Sequence, residues 1–261
     1  RFNTRQAKLK ASLEFEKKEK ERIKEMNQVK LRFFTNISHE FRTPLTLIIG
    51  QIENLLQLNK LSPSMYNRLL RIYKNASHMR TLISELLDFR KQEQGYLKLK
   101  VECRDIVAFT KEVYMSFYEY ALKHHIAYRF ETSEPSINLW FDPVQMQKVI
   151  INLLSNAFKY TPAEGNITVS IRMHSQQVLL QIKDSGTGIP QESIHKIFDQ
   201  FYQIDGQRSN LSLGTGIGLT LSKNIVELHQ GNIRVESKVD EGKTKKEAAG
   251  SIKTSITRHY K

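Results

Sequence analysis

The strongest constraint in the chain is a helical apolar period that no single helix can bury alone. Phe34, Ile37, Phe41, Leu45, Ile48, Ile52 and Leu55 recur at steps of three and four. At about 100° per residue they fall inside a stripe roughly 80° wide. Ser62-Pro63-Ser64 ends that run, and a second stripe follows through Leu69, Ile72, Ala76, Met79, Ile83, Leu86 and Leu87 to a stop near Gly95. Two amphipathic helices joined by a short turn make a hairpin, and two hairpins together cover both stripes as a four-helix bundle. A homodimer through the hairpin is therefore expected. Residues 1–30, dense in Lys and Glu and without Gly or Pro, read as a charged helical lead-in of coiled-coil type.

Beyond Gly95 the texture changes. Helical stretches at Ile106–Leu122, Pro143–Tyr160 and Leu219–His229 alternate with strand-like runs at Ile126–Phe130, Ile137–Phe141, Ile167–Met173, Val178–Lys183 and Asn232–Ser237. Helices against a mixed sheet give an α/β sandwich, so the whole reads as α+β. Four segments follow: a helical linker (1–30), a hairpin (31–95), an α/β domain (96–242) and an atypical end (243–261). The net charge of +13 sits mostly outside the α/β body, where residues 101–241 hold 13 basic against 16 acidic side chains. That distribution argues against direct nucleic-acid binding. No run reaches the ~20 apolar residues of a membrane span. The single cysteine, Cys103, excludes an intrachain disulfide.

His39 lies about 200° around the first helix from Ile37, away from the stripe, with Thr43 one turn later on the same outward face. Glu40 is positioned to accept from one imidazole nitrogen, fixing the tautomer and freeing the other for attack. Pro44 removes the backbone donor for the Glu40 carbonyl and loosens the helix just after the histidine. On the Pro143–Tyr160 helix, Asn152, Asn156 and Lys159 share one face, two amide oxygens and an ammonium that suit Mg²⁺ beside phosphates. Asp184-Ser-Gly186-Thr-Gly188 ends a strand-like run, where a carboxylate can accept from an exocyclic amine. Gly214-Thr-Gly216-Ile-Gly218 opens a helix whose N-terminus can cradle phosphate.

The segment Phe34-Thr-Asn-Ile-Ser-His39-Glu-Phe-Arg-Thr-Pro-Leu45 resembles the H-box of sensor histidine kinases. The three later segments resemble the N, G1 and G2 boxes of the ATP fold shared by histidine kinases and gyrase, with Ile197-Phe198-Asp-Gln-Phe201-Tyr202 similar to the F box. The resemblance implies ATP and Mg²⁺ as cofactors, His39 as phosphoacceptor, Glu40 as general base and Thr43 as a residue of the reverse, phosphatase activity. It implies Asn156 and Asn152 at the metal, Lys159 and Tyr160 facing the nucleotide, and Asp184 reading adenine beside Gly186 and Gly188. It further implies relay to a receiver aspartate on a response regulator, in the same parent chain if the likeness to hybrid sensors of gut Bacteroidetes holds. The fragment would then be the cytoplasmic part of an inner-membrane sensor, anchored upstream of Arg1.

One part departs from the pattern. After Glu241-Gly242 the family closes its sheet with a short Gly-Thr-x-Phe strand, whereas residues 243–261 run through cations into Ser and Thr. That end is expected to be a disordered tail, an insertion or a segment foreign to the natural protein, with weakened ATP affinity. It also leaves an alternative open: a non-catalytic dimeric scaffold with a defective ATP domain.

Overall fold

The computed structural model describes residues 2–57, 61–93, 97–174, 177–204, 216–238 and 249–257. The chain forms two compact units, Arg1–Leu97 and Lys98–Lys261.

The first unit is a hairpin of α1 (Phe2–Leu56) and α2 (Pro63–Glu93). α1 runs unbroken through Pro44. Leu45, Ile49 and Ala76 form its packed centre, with Tyr73 and Ile83 against them. The buried side of α1 is displaced from the sequence stripe. Ser38, Leu45, Ile49 and Ile52 are buried, while Phe41, Ile48 and Leu55 remain 53%, 46% and 42% exposed. The apolar arc is therefore split: one half meets α2, and the other stays exposed, as do Ile72 and Met79 on α2.

The second unit follows the order β1 (Glu102–Asp105), α3 (Ile106–Met115), α4 (Tyr118–Lys123), β2 (Ala127–Thr132), β3 (Asn138–Phe141), α5 (Pro143–Tyr160), β4 (Asn166–His174), β5 (Gln177–Asp184), α6 (Gly218–Leu228), β6 (Asn232–Lys238) and β7 (Ala249–Thr257). β1 pairs antiparallel with β3, and five strands form a sheet in the order β2-β4-β5-β7-β6. Only β2 against β4 is parallel. Ile167, Val169 and Ile171 of β4 pair in register with Asp184, Ile182 and Leu180 of β5, so all six side chains share one face. The five apolar members are buried. The expected Ile106–Leu122 helix is two helices, with α3 capped by Ser116 and α4 opened at Phe117.

Of the atypical end expected at 243–261, residues 243–248 and 258–261 lie outside the described residues, while residues 249–257 are a strand. They form β7, which pairs with β5 through Ile252↔Ile182 and with β6 through Ile252↔Val235. The strand sits inside the sheet, where backbone pairing on both edges does not depend on the missing aromatic.

Asp142 ties the helical layer together. Its side chain caps α5 by accepting from the Gln145 amide (3.1 Å) and also accepts from the Lys100 amide (2.8 Å). Its own amide donates to Nε2 of buried His229 at 3.0 Å, so Nδ1 carries the proton and donates to the Ile225 carbonyl at 2.7 Å. The bond accepted by Nε2 needs a neutral ring, and burial holds the His229 pKa below its usual range. In the acid range the unfolded chain therefore binds a proton that the folded one resists. Stability is full above the unfolded value of about 6.5 and falls as pH drops below it, by up to about 1.4 kcal/mol per pH unit. Thermal melts from pH 7.5 to 5 are expected to show this loss, and His229→Gln, which keeps both bonds without titrating, to flatten it.

Candidate functional site

His39 is exposed on α1, between buried Ser38 and exposed Glu40. Exposed Thr43 lies one turn on and donates Oγ1–H to the His39 carbonyl at 3.1 Å. Among the described residues no hydrogen bond joins the His39 ring to Glu40, so the ring is free on its face of the hairpin. The outward placement expected from helical phase is the one observed.

In the second unit the candidate residues gather along α5. Gly186 sits against the C-terminal end of that helix: a Cβ there would lie 2.8 Å from the Tyr160 carbonyl oxygen and 2.7 Å from Asp184 Oδ1. Asp184, at the end of β5 on the helix-covered face, accepts from the Gly186 amide at 2.9 Å through Oδ1. Burial pushes the Asp184 pKa up, and this one amide bond only partly opposes it. The carboxylate is thus half-buried with one described partner. Gly188 follows at φ 73°, a left-handed turn that glycine adopts without strain. Thr161, which follows Tyr160 and packs on Gly165, has Oγ1 buried without a hydrogen-bond partner among the described residues. Half-buried Lys159 holds Nζ 5.1 Å from the centroid of the Tyr160 ring.

At the other end of the same face, α6 begins on Gly218. A Cβ on Gly218 would lie 2.4 Å from Asn152 Oδ1, so only glycine lets the two helices meet there. Asn152 Nδ2 donates to Ser222 Oγ at 2.8 Å. Asn156 is half-buried and its amide makes no hydrogen bond among the described residues. The helix start has no side-chain cap, which leaves first-turn amides for an anion. Eight residues of α5 separate Asn152 from Tyr160, about 12 Å along the axis. An amine-accepting carboxylate and an anion-accepting helix end therefore lie at opposite ends of one face.

Phe201 N–H donates to the Gly216 carbonyl at 3.0 Å, drawing together the two sides of the intervening segment. Gly216 has φ 68°, and a Cβ on it would strike the Phe201 backbone at 2.7 Å. Phe201 itself has φ 60° and is 60% exposed, so it is not the core residue its type suggests. Half-buried Phe198 accepts at its carbonyl from Thr220 Oγ1 at 2.8 Å. Gly214 and residues 205–213, most of the polar stretch 203–213 that the family resemblance implies as an ATP lid, lie outside the described residues. Sequence reasoning missed Ser222, Thr220 and Asp142, whose partners are distant in the chain.

Residues 141–247 match a family model described as histidine kinase-, DNA gyrase B-, and HSP90-like ATPase. Residues 29–95 match the His Kinase A (phospho-acceptor) domain. Histidine kinase P4 of Formosa agariphila is 46% identical over 240 residues, 91% of this chain and 18% of that protein. Sensor histidine kinase TmoS of Ectopseudomonas mendocina is 34% identical over 217 residues, 82% of this chain and 22% of that protein. The chain thus spans about a fifth of these curated relatives. Among solved structures, full-length ShkA in complex with AMPPNP shares the fold at TM-score 0.72 and 20% identity, over 88% of this chain and 47% of that one. Histidine kinase ThkA in complex with response regulator protein TrrA matches at TM-score 0.60 and 25% identity, over 87% of this chain and 61% of that one.

Proposed function

The chain belongs to the sensor histidine kinases, and we propose that it moves the γ-phosphoryl group of ATP onto its own His39 and passes it to a receiver aspartate. The observation that carries this reading is the pairing of an exposed H-box histidine on a helical hairpin with a separate nucleotide-type site along α5. In this mechanism Asp184 takes the adenine amine through its second oxygen. Gly186 and Gly188 let the backbone lie close to the base, and Lys159 and Tyr160 face the nucleotide. The start of α6, with Gly214, Gly216 and Gly218, receives phosphate. Asn156 offers the oxygen that fits Mg²⁺, which when bound neutralises phosphate charge. The His39 imidazole attacks phosphorus in line, the bond to the bridging oxygen breaks, and ADP leaves. Glu40 orients the ring and takes its proton, and Thr43 serves the reverse dephosphorylation.

The uncovered arc of Phe41, Ile48, Leu55, Ile72 and Met79 supports a homodimer, since a second hairpin would bury these side chains. ThkA in complex with TrrA supports a receiver as partner, in the same parent chain or a separate one. Among the described residues no helix is long and apolar enough to cross a membrane. Anchoring upstream of Arg1, with this part in the cytoplasm, is proposed from the family. The scaffold alternative draws on the altered C-terminal end, and the pairing of β7 with β5 and β6 supports the catalytic reading instead.

ATP labelled at the γ position should leave acid-labile, alkali-stable phosphate on the protein. Label appearing only as free phosphate would end the reading.

Asp184 supplies a separate check. Its raised folded pKa means that stability declines as pH rises through the interval above the ordinary 3.8, so the ionised group opposes folding at neutral pH. Asp184→Asn removes that charge and keeps an oxygen for Gly186. The unliganded unit is expected to melt at the same or higher temperature. ATP binding should weaken roughly 10- to 100-fold, the loss of one charge-assisted hydrogen bond. Calorimetry with and without ATP measures both.

A further inference from the structure

We propose that Asn152 is a positioning residue held by Ser222, which sets where helix α6 begins relative to α5, and that it is not a metal ligand. The inference rests on the nucleotide reading of this site and changes the division of labour within it. Asn152 and Asn156 share a helical face, and by sequence both look like ligands to one cation. Their surroundings differ. The Asn152 amide is enclosed by two residues one turn apart on α6. Its Nδ2 donates to Ser222 Oγ at 2.8 Å, and its Oδ1 lies against the Cα of Gly218. Ser222 is 2% exposed, so water does not compete for that bond. The nitrogen is fixed at Ser222, and the oxygen is thereby fixed toward the first residue of α6.

The opposite side of the same turn is also tied, because Thr220 Oγ1 donates to the Phe198 carbonyl at 2.8 Å. The start of α6 is thus pinned from two sides by side-chain bonds to other elements. Its uncapped amides act on phosphate only if their distance from α5 is fixed, because a shift of about 1 Å already degrades such a constellation. Asn156 has neither contact and keeps its oxygen for a cation. Ser222 therefore acts on the nucleotide through Asn152, without touching it.

Binding of trinitrophenyl-ATP by the full chain, in Mg²⁺ and in EDTA, separates the roles. Asn152→Ala and Ser222→Ala are each expected to weaken the probe about three- to tenfold under both conditions. The double variant should be no weaker than the weaker single, because both remove one bond. Ser222→Thr keeps the hydroxyl and should restore wild-type affinity, and Asn156→Ala should weaken binding only when Mg²⁺ is present. Melting of the unliganded proteins by circular dichroism should place the two alanine variants together. The proposal is overturned if Asn152→Ala loses affinity only with Mg²⁺, as Asn156→Ala does, or if the two alanine effects add. A wild-type chain that takes up no probe would refute the nucleotide reading itself.

Discussion

Glutamine in place of His39 is expected to abolish acid-labile labelling completely while ATP affinity stays within about twofold. The first part follows from chemistry. His39 carries the one imidazole on the outward face of the H-box turn, and an amide nitrogen cannot attack phosphorus at neutral pH. The second follows from packing. His39 is exposed, and its ring holds no described hydrogen bond, so truncating its chemistry removes no buried contact. Glutamine is also at least as good a helix former. The substitution thus separates transfer from fold and from binding, which a change at buried Ser38 or Leu45 would not do. Label that survives on the protein would place the acceptor elsewhere. His125, His174 and His195 are the other exposed histidines among the described residues, and none lies on the hairpin.

That prediction draws on the part of the molecule most legible in sequence. The outward phase of His39 needed only helical periodicity, and the break at Pro63 needed only the fixed φ of proline, which here opens α2. α5 occupies the expected range Pro143–Tyr160, where proline at the first helical position needs no backbone donor. What was not legible depends on partners distant in the chain. The apolar stripe of α1 ran from Phe34 to Leu55 and included buried Leu45 and Ile52, yet the buried side also holds Ser38 and Ile49, because α2 takes only half of a wider arc. Asn152 looked like a ligand by spacing alone, and nothing local shows that Ser222, seventy positions later, takes its nitrogen. β1, Glu-Cys-Arg-Asp, carries no apolar alternation because none of its side chains is fully buried.

The same limit applies with most force to β7, where Ile252→Pro is expected to unfold or severely weaken the nucleotide unit. Judged by local chemistry, Ala249–Thr257 follows a cationic run, lacks an aromatic and contains an early glycine. Its β-branched residues were a weak signal, since propensity in strands is largely a report of neighbours. The neighbours decide the matter, because β5 and β6 each present an edge and one strand between them satisfies both. Proline at 252 removes a ladder donor and sets its ring against a neighbouring strand, which sheets tolerate only at edges. A loss of about 3 kcal/mol would lower the melting temperature by roughly 6–12 °C in a unit of this size. ATP affinity should fall with it, because Gly250 of β7 is the register partner of Asp184. The helical hairpin, a separate compact unit, should keep its own helicity through the transition. Ile252→Val, which keeps the donor, is the matched control and should behave as wild type. Should the proline variant melt and bind ATP as the parent does, residues 249–257 are not in the sheet in solution. The expectation of a tail would then stand, and with it the weakened site.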